Sequence, residues 1–400
     1  MKPTLSRLGL GLLLLGGGLT ACKYPERGQP LERLEAALGL EAPNEGFGPP
    51  RMRFGTMPFD AWYSPLTPLS VDDLGTHAYV DPGATVGGDG NPLEEVGRGT
   101  LYTTRGGFLD ISHIRNAVDL TRFCYVHIRA SFRAGLYDVE LLSAEPDIYH
   151  VTLRPPPQWR DLDPDQIPVE IDDQIHDAAI QIAGRIAYLM TTWHEVLTFF
   201  GYKGTGLITE RPSAFSYDDA ASHRVGVEVA MRALEHQLVP TEFDEFVTKE
   251  LRGYLTELGV VDAEEMVRRV EAAEGKFWRG SDPYLRVVDL GQDGRPLKAE
   301  LTDDQHEPIT WDFPEDAHVA GHRVEDLYDV NIELKVFEAG AILEAIGREE
   351  GPVRPPTDFQ ALHDHIEQAF EADRDVDAAD AKPEATDTTD RTDTTDQPAP

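Results

Sequence analysis

The stretch DDQIHDAAIQIAGRIAYLMTTWHEVLTFFG, Asp172 to Gly201, decides how this chain is organised. Its apolar residues recur at three and four positions, acids open it and a glycine closes it, so it reads as one helix from about Asp172 to Phe200. The face that carries His194 also carries His176, Ile180, Ala183, Ala187, Met190, Leu197 and Thr198, which aims that histidine into an apolar interior. Upstream, Ser112 to about Leu136 has the same period, with Ala117, Leu120, Cys124 and Ile128 on one face. Two alternating runs between these helices, Leu136 to Leu142 and Tyr149 to Leu153, are joined by Ala-Glu-Pro-Asp and read as a hairpin closed by Pro155-Pro156-Pro157. Downstream, helices are expected at Tyr217 to about Gln237, Glu242 to Glu257 and Ala263 to Ala273. A second hairpin is expected from Tyr284 to Leu290 and Leu297 to Leu301 around Gly-Gln-Asp-Gly, and a strand near Val330 to Phe337. Central helices with short antiparallel strands at intervals predict an α+β fold, a mainly helical core with short antiparallel hairpins, in a single globular domain over 51–355.

The ends have a different character. Lys2 and Arg7 precede an apolar run, Leu8 to Leu19, too short for a good membrane span, and Leu19-Thr20-Ala21-Cys22 follows. This is the layout of a bacterial lipoprotein signal, 1–21, with Cys22 as the lipidated residue. Acyl chains on Cys22 make a durable membrane anchor at about 0.8 kcal/mol per buried methylene. Residues 22–50, rich in Pro, Gly and charge with a helical candidate around Leu31 to Leu38, read as a tether. Lys23 stands where an inner-membrane retention signal commonly places Asp, so the expected address is the outer membrane, facing the periplasm. Residues 371–400 are dominated by Ala, Asp, Thr and Pro, repeat Thr-Asp-Thr-Thr-Asp, and read as a disordered acidic tail.

Composition narrows the function classes. The formal net charge is −36, from 36 Lys plus Arg against 72 Asp plus Glu. The tail holds ten acids and three bases, so most of the excess lies upstream and repels nucleic acid and anionic membrane surfaces. The membrane is a partner through the lipid alone, with an envelope component as a further partner class. With Cys22 lipidated, Cys124 stands alone, which excludes an intramolecular disulfide and a thiolate metal cluster. Its apolar helical surroundings suit a buried inert thiol.

The candidate chemistry centres on Trp193-His194-Glu195. A helical His-Glu pair can supply a metal ligand and a general base, but the zinc-protease helix has a second His four residues on, and here that position is Thr198. His176 is five turns away, about 27 Å along the helix axis. Other ligands therefore have to come from elsewhere: His113, at one helix start, and His223 with Asp219, at another. His113, His194, Asp219 and His223 are the candidate ligands of a divalent metal such as zinc, Glu195 the candidate base, and His194 and Arg115 the further candidate catalytic groups, Arg115 orienting an anion. Structural roles compete at the same positions: Ser216 and Asp219 fit a capping box, and Asp110 or Ser112 can be an N-cap. Gly201-Tyr202-Lys203-Gly204-Thr205-Gly206 follows a helix instead of a strand and reads as a C-cap and turn. His363 and His365 read either as a weak metal scavenger or as a solvated helix face. No Gly-x-Ser-x-Gly elbow occurs.

The blocks Gly-Phe-Leu-Asp-Ile-Ser-His-Ile-Arg (107–115), Trp-His-Glu (193–195) and Phe-Ser-Tyr-Asp-Asp (215–219), behind a lipoprotein signal, resemble an uncharacterised family of predicted bacterial lipoproteins, a domain of unknown function. The resemblance spans roughly 50–350 and implies a shared fold and a shared pocket at His113, His194 and Glu195. It brings no established reaction. Two functions stay open: a lipid-anchored metal-assisted hydrolase, or a non-enzymatic structural or binding lipoprotein in which these residues form a buried packing network.

Overall fold

The computed structural model describes residues 100–380 apart from 144, 161, 164–165, 204–210, 212–213, 237–242, 274–277, 280–281, 284–285, 289–295 and 315. The signal, Cys22, the tether with its helical candidate, and the tail beyond Asp380 lie outside these residues.

The chain enters through a hairpin, β1 (Thr100–Thr103) and β2 (Gly107–Asp110), and turns directly into α1 (Ile111–Ala134). Asp110 starts that helix: its Oδ1 accepts the Ser112 amide at 2.7 Å, satisfying one of the amides that a helix start leaves open. Gly135, at φ 66°, ends it, and the Leu136 amide reaches back to the Ser131 carbonyl at 2.9 Å. The expected hairpin forms as β3 (Asp138–Leu142) and β4 (Ile148–Leu153). The long helix is α2 (Val169–Phe199), closed by Gly201 at φ 98°. From Ala178 to Trp193 it is buried on nearly every side, as an all-round apolar helix must be.

Then follow α3 (Tyr217–Leu234), α4 (Phe243–Glu257), α5 (Ala263–Ala273) and several two-residue strands: β5 (Trp278–Arg279) with β6 (Asp282–Pro283), β7 (Leu297–Lys298) with β8 (Thr310–Trp311), and β9 (His318–Val319) with β10 (His322–Arg323). The strand β11 (Tyr328–Glu333) returns to pair antiparallel with β4, making a three-stranded sheet in the order β11-β4-β3. Two helices finish the described chain, α6 (Ala339–Ala345) and α7 (Pro355–Asp380).

This is an α+β fold with a helical core. Helices α1, α2 and α3 pack on one another, α4 lies against α3, and β2 runs along α3. The approach of α1 to α3 is close because Gly226 has no side chain: a Cβ there meets the Ile114 carbonyl oxygen at 2.2 Å and the Ala117 Cβ at 2.7 Å. Cys124 is fully buried in this core, with its Sγ against the sulfur of Met190 at 3.6 Å.

Three expectations need correction. The strand at Leu297 pairs with Thr310–Trp311 and the Val287 amide donates to the Phe215 carbonyl at 2.9 Å at the entry of α3, while 284–285 and 289–295, the rest of the expected first strand and its turn, lie outside the described residues. The helix α7 continues ten residues into the stretch read as tail, docked by Phe359, Leu362, Ile366 and Phe370 at helical spacing. On it His363 is buried beside the Phe359 ring, while His365 stacks on Phe200, so the two do not share a solvated face.

Candidate metal centre

The first turns of α1 and α3 meet beside the C-terminal third of α2. The amide of Asp110 donates to Ser222 Oγ at 2.6 Å, and Ser222 Oγ donates to the Asp218 carbonyl, so the two helix starts are tied together. That junction places His113 and Asn116 of α1 beside His223 of α3. With Leu120, with Met190, Thr191 and His194 of α2, and with Ser143 and Glu145 of the β3–β4 connection, they line a cavity of about 30 Å³. That is room for a water or a small ion. The side chains of His113 and His194 are 16% and 15% exposed, so the cavity reaches solvent at these two imidazoles.

Of the cavity-lining residues, His113 has two carboxylates behind it, Asp110 and Asp219, which do not themselves line the cavity. One donor atom from each of the three lies within 4.8 Å of the others. His113 Nδ1 is 2.5 Å from Asp219 Oδ1 and 4.0 Å from Asp110 Oδ2. The first contact is close but off the direction of the ring N–H, so Nδ1 has a carboxylate beside it and no aligned hydrogen bond. Two donors of one ion with bonds of about 2.1 Å stand up to about 4.2 Å apart, so this group closes on an ion with small side-chain adjustments. The division of labour within Asp110 suits that role: Oδ1 accepts from the Ser112 amide and hydroxyl, and Oδ2 faces His113.

The charges tie the same groups together. Burial lowers the basicity of His113, but the adjacent Asp219 and Asp110 carboxylates outweigh it and push the imidazole up to about 10. Burial raises Asp219, and the charge of the adjacent His113 more than reverses that. Glu195 and Asp218 are both pushed above the usual carboxylate range, first by burial and then by the Asp219 charge. His223, its ring centroid 5.0 Å from that of His113, is driven well down by burial and by the His113 charge. Asp110 and Asp219 thus hold one strongly basic imidazole between them, while Asp218 and Glu195 nearby favour their neutral forms.

On the cavity wall, His194 Nδ1 meets Glu145 Oε1 at 2.7 Å, and Ser143 Oγ donates to Glu145 Oε2. Burial raises the Glu145 carboxyl, but the bond and charge of His194 hold it below its ordinary value, so it is anionic. The turn that carries Glu145 is fixed by Asp147, which accepts Trp193 Nε1–H at 2.8 Å and the amides of Lys335 and Val336 at 2.5 and 3.2 Å.

Of the candidates from sequence, His113, His194 and His223 reach one cavity. Only His113 and Asp219 belong to the close donor group, where Asp110 stands in place of His194, whose Nδ1 is taken by Glu145. Glu195 is buried and does not line the cavity; its Oε2 accepts the Phe215 amide at 2.7 Å. Phe215 has φ 61°, an unfavourable backbone for a bulky residue, and this bond holds it in place at the entry to α3. Arg115, two residues past His113 and so on another face of α1, is fully buried and does not line the cavity. His176 meets the Tyr125 hydroxyl at 2.7 Å, far along α2. Ser216 stands at the N-cap of α3 without a side-chain bond to a helix amide, and hydrogen-bonds Asp219 instead. Two residues escaped sequence reading. Asp110 was legible as Asp-x-x-His across one helical turn; Glu145, in a turn 49 residues before its partner, carried no local signal.

A family model described as a protein of unknown function (DUF4056) matches residues 56–285, more than half of the chain and the whole of the site. No curated protein and no solved structure matches.

Proposed function

The chain belongs to the DUF4056 family of proteins of unknown function, and from its site we propose that it is a metal-assisted hydrolase, with Asp110, His113 and Asp219 holding one divalent cation such as zinc or manganese. The observation that carries this reading is the meeting of these three donors, within 4.8 Å of one another, at His113, which opens on the cavity. One imidazole and two carboxylates suit a borderline or hard divalent ion. Such an ion polarises a substrate oxygen and makes a neighbouring water acidic, and the cavity has space for that water. His223 stands beside His113 as a further donor.

We place this activity in the bacterial envelope, on an outer-membrane lipid anchor at Cys22. Support comes from Leu19-Thr20-Ala21-Cys22 and from the finding that no helix among the described residues is long and apolar enough to cross a membrane. A Cys22→Ser chain is expected to leave the membrane fraction and to lose labelled palmitate.

The metal is tested by elemental analysis of the purified full chain, dialysed against zinc or manganese and then titrated with a chromogenic chelator. One equivalent is expected, with affinity falling at least 100-fold in Asp219→Asn and His113→Asn. Each ligand lost removes a charge-assisted bond of a few kcal/mol. A metal-free protein whose variants fail to fold supports the competing reading, a packing network, which is favoured by the caps and amide bonds that Asp110 and Glu195 also make.

A further inference from the structure

We infer that His194, oriented by Glu145, is the group that takes the proton from the water in this cavity, and that Glu195 is a positioning residue for the entry to α3. The inference rests on the hydrolytic reading above and reassigns its base. Glu195 carries the right chemistry in sequence but the wrong geometry: it is off the cavity wall, and its Oε2 is bonded to the Phe215 amide. His194 lies on the wall, partly exposed, and shares this small cavity with His113 of the donor group.

Glu145 makes His194 a base. It is anionic, it accepts the Nδ1 proton at 2.7 Å, and its second oxygen is anchored by Ser143. Donation from Nδ1 fixes the neutral tautomer whose lone pair is on Nε2, and the carboxylate stabilises the imidazolium once it forms. Asp147, bonded to Trp193 next to His194, keeps the Glu145 turn on α2. In the step that follows, one O–H bond of the water breaks and its proton passes to Nε2. The water oxygen bonds to the electrophilic atom of the substrate, and the leaving group departs with the proton returned by His194. No electron acceptor or other co-reactant is required.

The experiment uses the zinc-loaded full chain with 4-nitrophenyl acetate as probe, comparing His194→Gln, Glu145→Gln and Glu195→Gln for zinc affinity and kcat/KM. Circular dichroism confirms folding of each. Expected are zinc affinities within about threefold of the parent for His194→Gln and Glu145→Gln, and a loss of about 100-fold or more in kcat/KM for His194→Gln, the size of a general-base contribution. Glu145→Gln loses about as much and also loses the low-field Nδ1–H proton signal of His194, which a merely structural role would leave in place. Glu195→Gln, which keeps an acceptor for the Phe215 amide, loses clearly less than His194→Gln. A His194→Gln chain that keeps zinc and full rate overturns the inference, as does equal loss in Glu195→Gln. Failure of the parent to bind zinc overturns the metal centre instead. Zinc binding without hydrolysis above free zinc overturns the inference and leaves the metal centre standing.

Discussion

Removing the positive charge of His113 is expected to weaken the metal-free protein strongly at pH 6 and hardly at all above pH 10. In the fold its imidazole titrates near 10, against 6.5 for an ordinary histidine. A group more basic in the folded state stabilises fully below its unfolded value, here pH 6.5, and that stability is lost as pH rises through about 10. The difference corresponds to about 5 kcal/mol at 1.36 per tenfold, close to the 3–5 kcal/mol that breaking one side of a buried pair costs. His113→Asn keeps a polar atom near the Nδ1 position and removes the charge. Urea unfolding of chelator-stripped protein, followed by the fluorescence of buried Trp159, Trp193 and Trp311, gives the stability of each chain. The parent is expected to exceed the variant by about 3–5 kcal/mol at pH 6 and by less than about 1 kcal/mol at pH 10.5. The difference reports His113 together with the neighbours whose titration its charge sets, Asp219 and His223 first. A gap that is constant with pH, or one that widens on the alkaline side, refutes the assignment of the Asp110 and Asp219 charges to this imidazole.

Two further substitutions examine the scaffold. Gly226→Ala drives a methyl into the Ile114 carbonyl and the Ala117 side chain, so it is expected to cost up to about 3 kcal/mol and to weaken zinc binding by moving His113 relative to His223. Gly253→Ala, in α4 with nothing within 4 Å of the new methyl, is the matched control and gains about 0.5–1 kcal/mol in a thermal melt. Asp147→Ala strips the acceptor from Trp193, Lys335 and Val336 and is expected to cost about 2–4 kcal/mol, with faster hydrogen exchange at the two backbone amides. Unchanged exchange at Lys335 refutes the role given to that carboxylate.

The helices were readable because their signals are local. Apolar spacing, with Gly201 as a stop, fixed α1 and α2 to within a few residues, and the β3–β4 hairpin followed from alternation and its Pro-containing turn. The partners of short strands were not readable, since the pairing of Leu297 with Trp311 rests on contacts that a two-residue strand does not encode. The same division runs through the site. His113, Asp219, His194 and His223 stood out as polar groups at helix starts or on an apolar face, and three of them reach one cavity. What each does was decided by neighbours distant in the chain: Glu145 claims His194, Phe215 claims Glu195, and Asp110 serves as cap and donor at once.

The pairing of β11 with β4 has a practical consequence. The family match ends at residue 285, yet β11 and the Lys335 and Val336 amides that grip Asp147 come after it. A chain cut at that boundary keeps every donor atom of the pocket, but it bares a hydrogen-bonding edge of β4 to neighbouring molecules and unclamps the turn that presents Glu145. Expression boundaries for this protein therefore belong after α7, and a shorter fragment that precipitates reports an unsealed sheet edge, not a defective pocket.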